Sequence, residues 1–261
     1  MDSKTIIIIA DYGVGDPAFT EVILQLQNAL PNVHIYPLST PSFSTVNTGF
    51  WIYQLALTPN ITNTTIYSNT APRRETTKAQ KNNSGEKLMY AKLKNGFEII
   101  AVNARHVFSF VKNEIIDFRL VNVANAGSQF RSRDNYPQAM IEMVQGNKTF
   151  LGEKVPKTVI PSSPTNVIAS IDGYGNIKTT MRMSLIKFKP GKRVTITIHT
   201  QMHVATYTDG VFNIKDGELA FAPGSSGHDD KFMEIFVRGA SAYKLFEKPQ
   251  VEEEITITAL H

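Results

Sequence analysis

The hydrophobic pattern of this chain changes character near residue 155. Before that point, Thr5 to Ala10 is a continuous β-branched run without polar alternation, which predicts a strand buried on both faces. The run ends at Asp11-Tyr12-Gly13-Val14-Gly15-Asp16-Pro17. Glu21 to Leu30 then places Val22, Ile23, Leu26, Ala29 and Leu30 at helical spacing and stops at Pro31. His34 to Leu38 predicts the next strand and Thr48 to Leu57 the next helix. Thr64 to Ser68 and Phe97 to Val102 are further strands, and Pro137 to Gln145 a further helix. Strands alternating with helices predict an α/β domain with a mostly parallel central sheet. Between them, Glu75 to Lys87 is polar, lysine-rich and aperiodic, a length of loop that is either functional or disordered.

The stretch Gly152 to Pro164, with Pro156, Pro161 and Pro164, reads as the boundary. Beyond it the pattern becomes short strands, Asn166 to Ile171, Arg193 to His199 and Glu254 to Ala259 among them, set between Gly, Asp and Pro turns. The expected organisation is an α/β domain over 1–155, a proline-rich linker over 156–165, and a smaller β-rich, barrel-like domain over 166–261.

A chain of 261 residues is long enough for a substantial core, in one domain or two. Its 42% hydrophobic and 19% charged residues are those of an ordinary globular protein, and no apolar run approaches the ~18 residues that span a bilayer. The N-terminal Ile run has no basic segment before it and leads into Asp11, so neither a signal peptide nor a membrane partner is expected and the expected location is cytoplasmic. The absence of cysteine excludes disulfides, thiolate metal sites and a thiol nucleophile. The net charge of +4 raises the question of nucleic acid. Its basic residues are scattered, however, and are not interleaved with stacking aromatics, so a solvated face is expected and no nucleic-acid partner.

Candidate chemistry lies in two places. Asp11 sits at the C-terminal end of the first predicted strand, the edge where open α/β sheets bind ligands. There it either caps the following turn or accepts from a ribose diol. Gly13-Val14-Gly15 is followed by Asp16-Pro17 and lacks the third glycine of a dinucleotide fingerprint. The second place is Ile171 to Thr180, where Asp172, Tyr174 and Asn176 are set around Gly173 and Gly175. It is either a hairpin turn closed by its own Asp and Asn, or a close-approach loop with an aromatic face for a heterocycle. None of the six histidines has zinc-ligand spacing, and Ser225-Ser226-Gly227 is not a nucleophile elbow, so no metal and no serine hydrolase is expected.

Taken in order, these segments resemble the S-adenosylmethionine hydroxide adenosyltransferases, relatives of the bacterial fluorinase and chlorinase. Asp11-Tyr12-Gly13 is similar to the family's Asp-Phe-Gly, and Phe43 lies near its Pro-[Phe/Trp]-Asp-Val. Tyr67-Ser68-Asn69-Thr70-Ala71 is similar to the halogenases' Tyr-Pro-Ala-Thr-Gly, where the hydrolases have Asp-Pro-Gly-Val-Gly. Phe130-Arg131-Ser132-Arg133-Asp134 resembles Phe-[His/Tyr]-[Gly/Ser]-Arg-[Asp/Glu], and Asp172-Gly173-Tyr174-Gly175-Asn176 resembles Asp-x-Phe-Gly-Asn. Ser225-Ser226-Gly227, Glu234-Ile235 and Gly239-Ala240-Ser241 complete the likeness over nearly the whole length.

The resemblance implies cleavage of S-adenosylmethionine by attack at the ribose C5′, with methionine leaving and no separate cofactor. Water as nucleophile gives adenosine and a halide gives a 5′-halo-nucleoside. A relative that binds the nucleoside without turnover is the third possibility. The resemblance also implies that Asp11 holds the ribose, with Phe43 nearby, and that Tyr174 and Tyr207 pack on adenine. Asp172 and Asn176, assisted by Ser225 and close to Ala240, would hold the methionine end. The site would be shared between subunits of a homotrimer. The nucleophile pocket departs from the hydrolases: Tyr67 and Arg131 stand at the Asp and His positions, and Arg74 alone remains. An arginine cannot deprotonate water. Tyr67, Thr70 and Ser132 resemble the halogenase hydroxyl pocket, whereas Arg131 fits neither branch.

Overall fold

The structure is a computed structural model that describes residues 4–72, 86–124, 130–210 and 213–260. The chain divides into two compact units, Met1–Ser162 and Ser163–His261, with Pro161 and Pro164 on either side of the division.

In the first unit the order is β1 (Lys4–Ala10), α1 (Pro17–Ala29), β2 (Val33–Ser39), α2 (Thr45–Ala56), β3 (Thr64–Asn69), β4 (Leu88–Leu93), β5 (Glu98–Val102), β6 (Ile115–Val121), α3 (Arg131–Asp134), α4 (Tyr136–Gln145) and β7 (Leu151–Lys154). The Ile run of β1 is paired on both sides, with β2 and β3, and Ile6, Ile8 and Ile9 have no exposed surface. Two helix starts follow from local chemistry. Asp16 accepts from the Ala18 N–H ahead of α1, where Pro17 takes a position whose own N–H has no helical partner. Ser44 accepts from the Asn47 N–H, so α2 begins at Thr45, three residues before the apolar spacing indicates.

The seven-stranded sheet runs β2-β1-β3-β5-β4-β6-β7 and is not mostly parallel, which corrects the expected fold class. Only β2, β1, β3 and β5 run parallel. β4 pairs antiparallel with both β5 and β6, and β6 with β7. The physical reason is the tight turn at Asn95-Gly96, where the Leu93 N–H donates to Phe97 O and Gly96 has a φ of 85°. A turn that short can join only antiparallel strands.

The second unit contains β8 (Ile168–Ile171), β9 (Ile177–Arg182), β10 (Arg193–Ile198), β11 (Gln201–Tyr207), β12 (Leu219–Pro223), β13 (Phe232–Val237), α5 (Ala242–Leu245) and β14 (Ile255–Ala259). Its sheet runs β14-β10-β11-β12-β13-β9-β8 and is antiparallel except for the β11–β12 pair. This sheet is a half-barrel, a second correction to the barrel-like expectation, and an isolated bridge pairs Val167 with Glu254, the residues just ahead of β8 and β14. Phe221, Met233 and Ile235 are fully buried at its centre. Among the described residues, no helix is long and apolar enough to cross a membrane.

Candidate functional site

In the second unit a cavity of about 780 Å³ is lined by Asp172, Tyr174, Asn176, Ser225 and Ala240, all five singled out from the sequence. The loop from Asp172 to Asn176 is a turn closed on itself. Asp172 Oδ1 accepts from the N–H groups of Tyr174 and Asn176, both at 3.0 Å, and Asp172 Oδ2 accepts from Asn176 Nδ2 at 3.0 Å. The turn and the cavity wall are therefore the same structure, and the two readings of this stretch do not exclude each other. With its backbone held this way, Tyr174 projects 83% exposed, an uncommitted aromatic face.

Gly175 is at φ +83°, and a Cβ there would come within 2.0 Å of Ser241 Oγ. Ser241 caps α5 through the Lys244 N–H, and Gly175 O accepts from the Tyr243 N–H. Gly175→Ala is expected to cost about 1–3 kcal/mol from the unfavourable φ and the crowding. Denaturant unfolding measures it, and an unchanged midpoint would show that the loop does not depend on this close approach.

Lys178 and Glu234 also line the cavity and are not among the binding residues expected from the sequence. Lys178 on β9 lies opposite Glu234 on β13, and its Nζ is 3.0 Å from Glu234 Oε2, 3.2 Å from Ser225 Oγ and 3.8 Å from Asp172 Oδ2. The signal for them is Glu234 itself, a carboxylate within the apolar run Phe232-Met233-Glu234-Ile235-Phe236-Val237. A buried carboxylate needs a cation or several donors, and the lysine of a neighbouring strand is the natural supplier. Tyr207 is not brought to this cavity. It is 8% exposed and packs against Phe188 and Phe221 in the core of the unit.

Of the residues expected in the first unit, Asp11, Tyr67 and Thr70 lie on or just after β1 and β3, and Arg131 and Ser132 lie on α3. Asp11 Oδ2 accepts from the Phe43 N–H at 3.1 Å, and Phe43 is held at φ +65° with its ring 54% exposed. Thr70 is fully buried, its hydroxyl 2.8 Å from that of Thr48, which in turn donates to Ser44 O. Tyr67 is also fully buried and donates to Ser132 O at 2.9 Å. Burial pushes the Tyr67 phenol well above its ordinary value, and Tyr12 and Tyr136 add to this. It is therefore a neutral hydrogen-bond donor at working pH, not a base. The Arg131 guanidinium lies 5.8 Å from the centre of the Tyr136 ring. Ser132 contributes its backbone carbonyl to Tyr67. Arg74 and nearly all of the loop over 75–87 lie outside the described residues.

No protein-family model and no curated protein matches the chain. Among solved structures it is similar to an uncharacterized conserved protein from Thermotoga maritima, at 17% identity and a TM-score of 0.77, over 97% of this chain and 99% of that one. A conserved hypothetical protein from Thermus thermophilus is similar at 16% identity and a TM-score of 0.70, over 98% of this chain and 100% of that one. At such identities the likeness is one of fold.

Proposed function

We propose that the protein binds S-adenosylmethionine and cleaves it with water to adenosine and methionine. The observation that carries this reading is the cavity in which Asp172, Tyr174, Asn176, Ser225 and Ala240 converge. It pairs an exposed aromatic face with carboxylate, ammonium and hydroxyl groups, as a nucleoside joined to an amino acid requires. In the first unit, the Asp11 carboxylate stands beside the exposed Phe43 ring at the end of a parallel strand, where it suits a ribose diol. In the reaction, the water oxygen attacks C5′ while the C5′–S bond breaks and its electron pair returns to sulfur. One proton passes to solvent, and the products are adenosine and the methionine thioether. A sulfonium is already a good leaving group, so the protein's part is positioning and desolvation. A homotrimeric assembly is part of the same proposal.

Water is favoured over a halide because the hydroxyls of Tyr67 and Thr70 already have protein partners, Ser132 O and Thr48. A halide would have to displace those bonds to gain a shell in place of its hydration.

The test is incubation with S-adenosylmethionine, with and without chloride, bromide or fluoride, and chromatography of the nucleosides. Adenosine independent of halide is expected. A halide-dependent 5′-halo product would replace the hydrolytic reading, and absence of both binding and product at millimolar ligand would remove the ligand assignment. Asp11→Ala is expected to weaken adenosine binding by about 1.5–3 kcal/mol, the usual loss for hydrogen bonds to a charged group. Unchanged affinity in a folded variant would remove Asp11 from the ribose.

A further inference from the structure

We propose that Lys178 is the residue by which the second unit's cavity selects a ligand end that carries a carboxylate together with its ammonium. This rests on the S-adenosylmethionine reading above and names the group that reads the amino-acid end. The expected holder of the ligand carboxylate, Asn176, donates one of its two Nδ2 hydrogens to Asp172 Oδ2 and carries no charge. Lys178 is a cation that faces the same space, beside Ser225 and the two carboxylates. Its side chain is 15% exposed, against 11% for Glu234 and 25% for Asp172, so three charges already stand largely out of water.

That arrangement is complementary to an α-amino acid. A ligand carboxylate entering beside Lys178 Nζ accepts from it and from the Ser225 hydroxyl, which lies 3.2 Å away. The ligand ammonium then takes up the share of Asp172 and Glu234 that Lys178 gives up. Every charge keeps a partner throughout, and because the protein groups are desolvated beforehand, the desolvation left to be overcome is that of the ligand's two charges. A ligand with an ammonium but no carboxylate meets Lys178 as a like charge and supplies nothing in return. The position is rigid: Lys178 is on β9, paired with Glu234 on one side and Ser170 on the other. Arg238 also lines the cavity, with Nη1 donating to Ile214 O at 2.6 Å, which ties the guanidinium to the backbone.

The experiment uses the full chain and three ligands that cannot turn over, because none carries a sulfonium. They are S-adenosylhomocysteine, its decarboxylated analogue, and 5′-deoxy-5′-methylthioadenosine, which lacks the amino-acid end. Calorimetric titration of the wild type is expected to show S-adenosylhomocysteine binding about tenfold or more tightly than the decarboxylated analogue. K178M is expected to bring that ratio to within about threefold, with methylthioadenosine affinity unchanged, and K178R to restore it. A merely structural lysine would weaken all three ligands alike. That result, or a wild-type ratio near one, overturns the proposal, and the wild-type arm does so even if K178M does not fold. If no nucleoside binds the wild type at all, the S-adenosylmethionine reading fails and this inference with it. If the nucleosides bind but the ratio is insensitive to residue 178, only the role of Lys178 fails.

Discussion

Raising the pH from about 10 to about 11.5 is expected to destabilise the first unit by about 5 kcal/mol. Three of its tyrosines, Tyr12, Tyr67 and Tyr90, hold their protons above the ordinary phenol range. Burial is the main cause in each. Asp11 and Asp16 add to it at Tyr12, where the nearby Asn69 amide partly offsets the rise. At Tyr90, the hydrogen bond to Glu98 and the Glu98 and Asp117 charges add to it. In the unfolded chain all three phenols ionise near pH 10. Above that pH the unfolded state binds fewer protons than the folded one, so stability falls as pH rises. The contribution is fully present below pH 10 and is lost between there and the raised folded values. Three such groups remove about 4 kcal/mol by pH 11 and about 6 kcal/mol by pH 11.5, against about 5–15 kcal/mol of total stability for a typical domain. Trp51, the chain's one tryptophan, lies on α2 and reports on this unit. In denaturant just below the unfolding midpoint at pH 10, its emission should change in one cooperative step together with phenolate absorbance as the pH rises. A smooth titration of all nine tyrosines near pH 10 with Trp51 unchanged would show that these phenols are not held as described.

The largest effect of a single substitution is expected at Gly227, in the serine–glycine motif beside the second unit's cavity. Its φ of +110° is one that side-chain-bearing residues rarely adopt. A Cβ there would lie 2.5 Å from Phe232 N, 2.7 Å from Asp230 O and 2.8 Å from Lys231 C. All three are backbone atoms, and they cannot rotate away. The Phe232 N–H donates to Ser226 O at 2.8 Å, and Arg182 Nη1 donates to Asp230 O at 2.7 Å while its guanidinium sits over the Phe232 ring. Backbone strain of about 1–3 kcal/mol and overpacking of similar size make Gly227→Ala cost about 2–6 kcal/mol. Gly173→Ala is the control, since a Cβ there meets nothing within 4 Å and its φ is not positive. It should change stability by no more than about 0.5 kcal/mol. Chemical unfolding followed by circular dichroism compares the two, and equal midpoints would show that the motif's glycine is not sterically required. In a folded Gly227→Ala chain, ligand affinity at the cavity should also fall, because Ser225 lies two residues away on the displaced loop.

Some of this is readable along the chain and some is not. The Ile run announces a strand paired on both sides, whereas apolar spacing places the following helix at Glu21, four residues after the Asp16 cap and Pro17 that open α1. The sense of the sheet is lost because the apolar spacing does not mark Leu88 to Leu93 as a strand. Without β4, β5 looks like the next member of a parallel series, although Asn95-Gly96 carries the hairpin signal. Resemblance alone places Tyr207 on a ligand. Its position in the alternation of β11 instead points it into the core between Phe188 and Phe221.

The sequence by itself determined what is settled within a few residues: the helix caps, the closed turn from Asp172 to Asn176, and the presence of an exposed Tyr174 on it. Those features rest on bonds between near neighbours, such as Asp172 with the N–H groups of Tyr174 and Asn176. Tertiary structure alone decided which charges meet. Lys178 reaches Glu234 across 56 positions, and Tyr67 reaches Ser132 across 65. Local spacing cannot specify such pairs, because strand register and sheet order place them, and both are set by burying the apolar faces of whole strands at once.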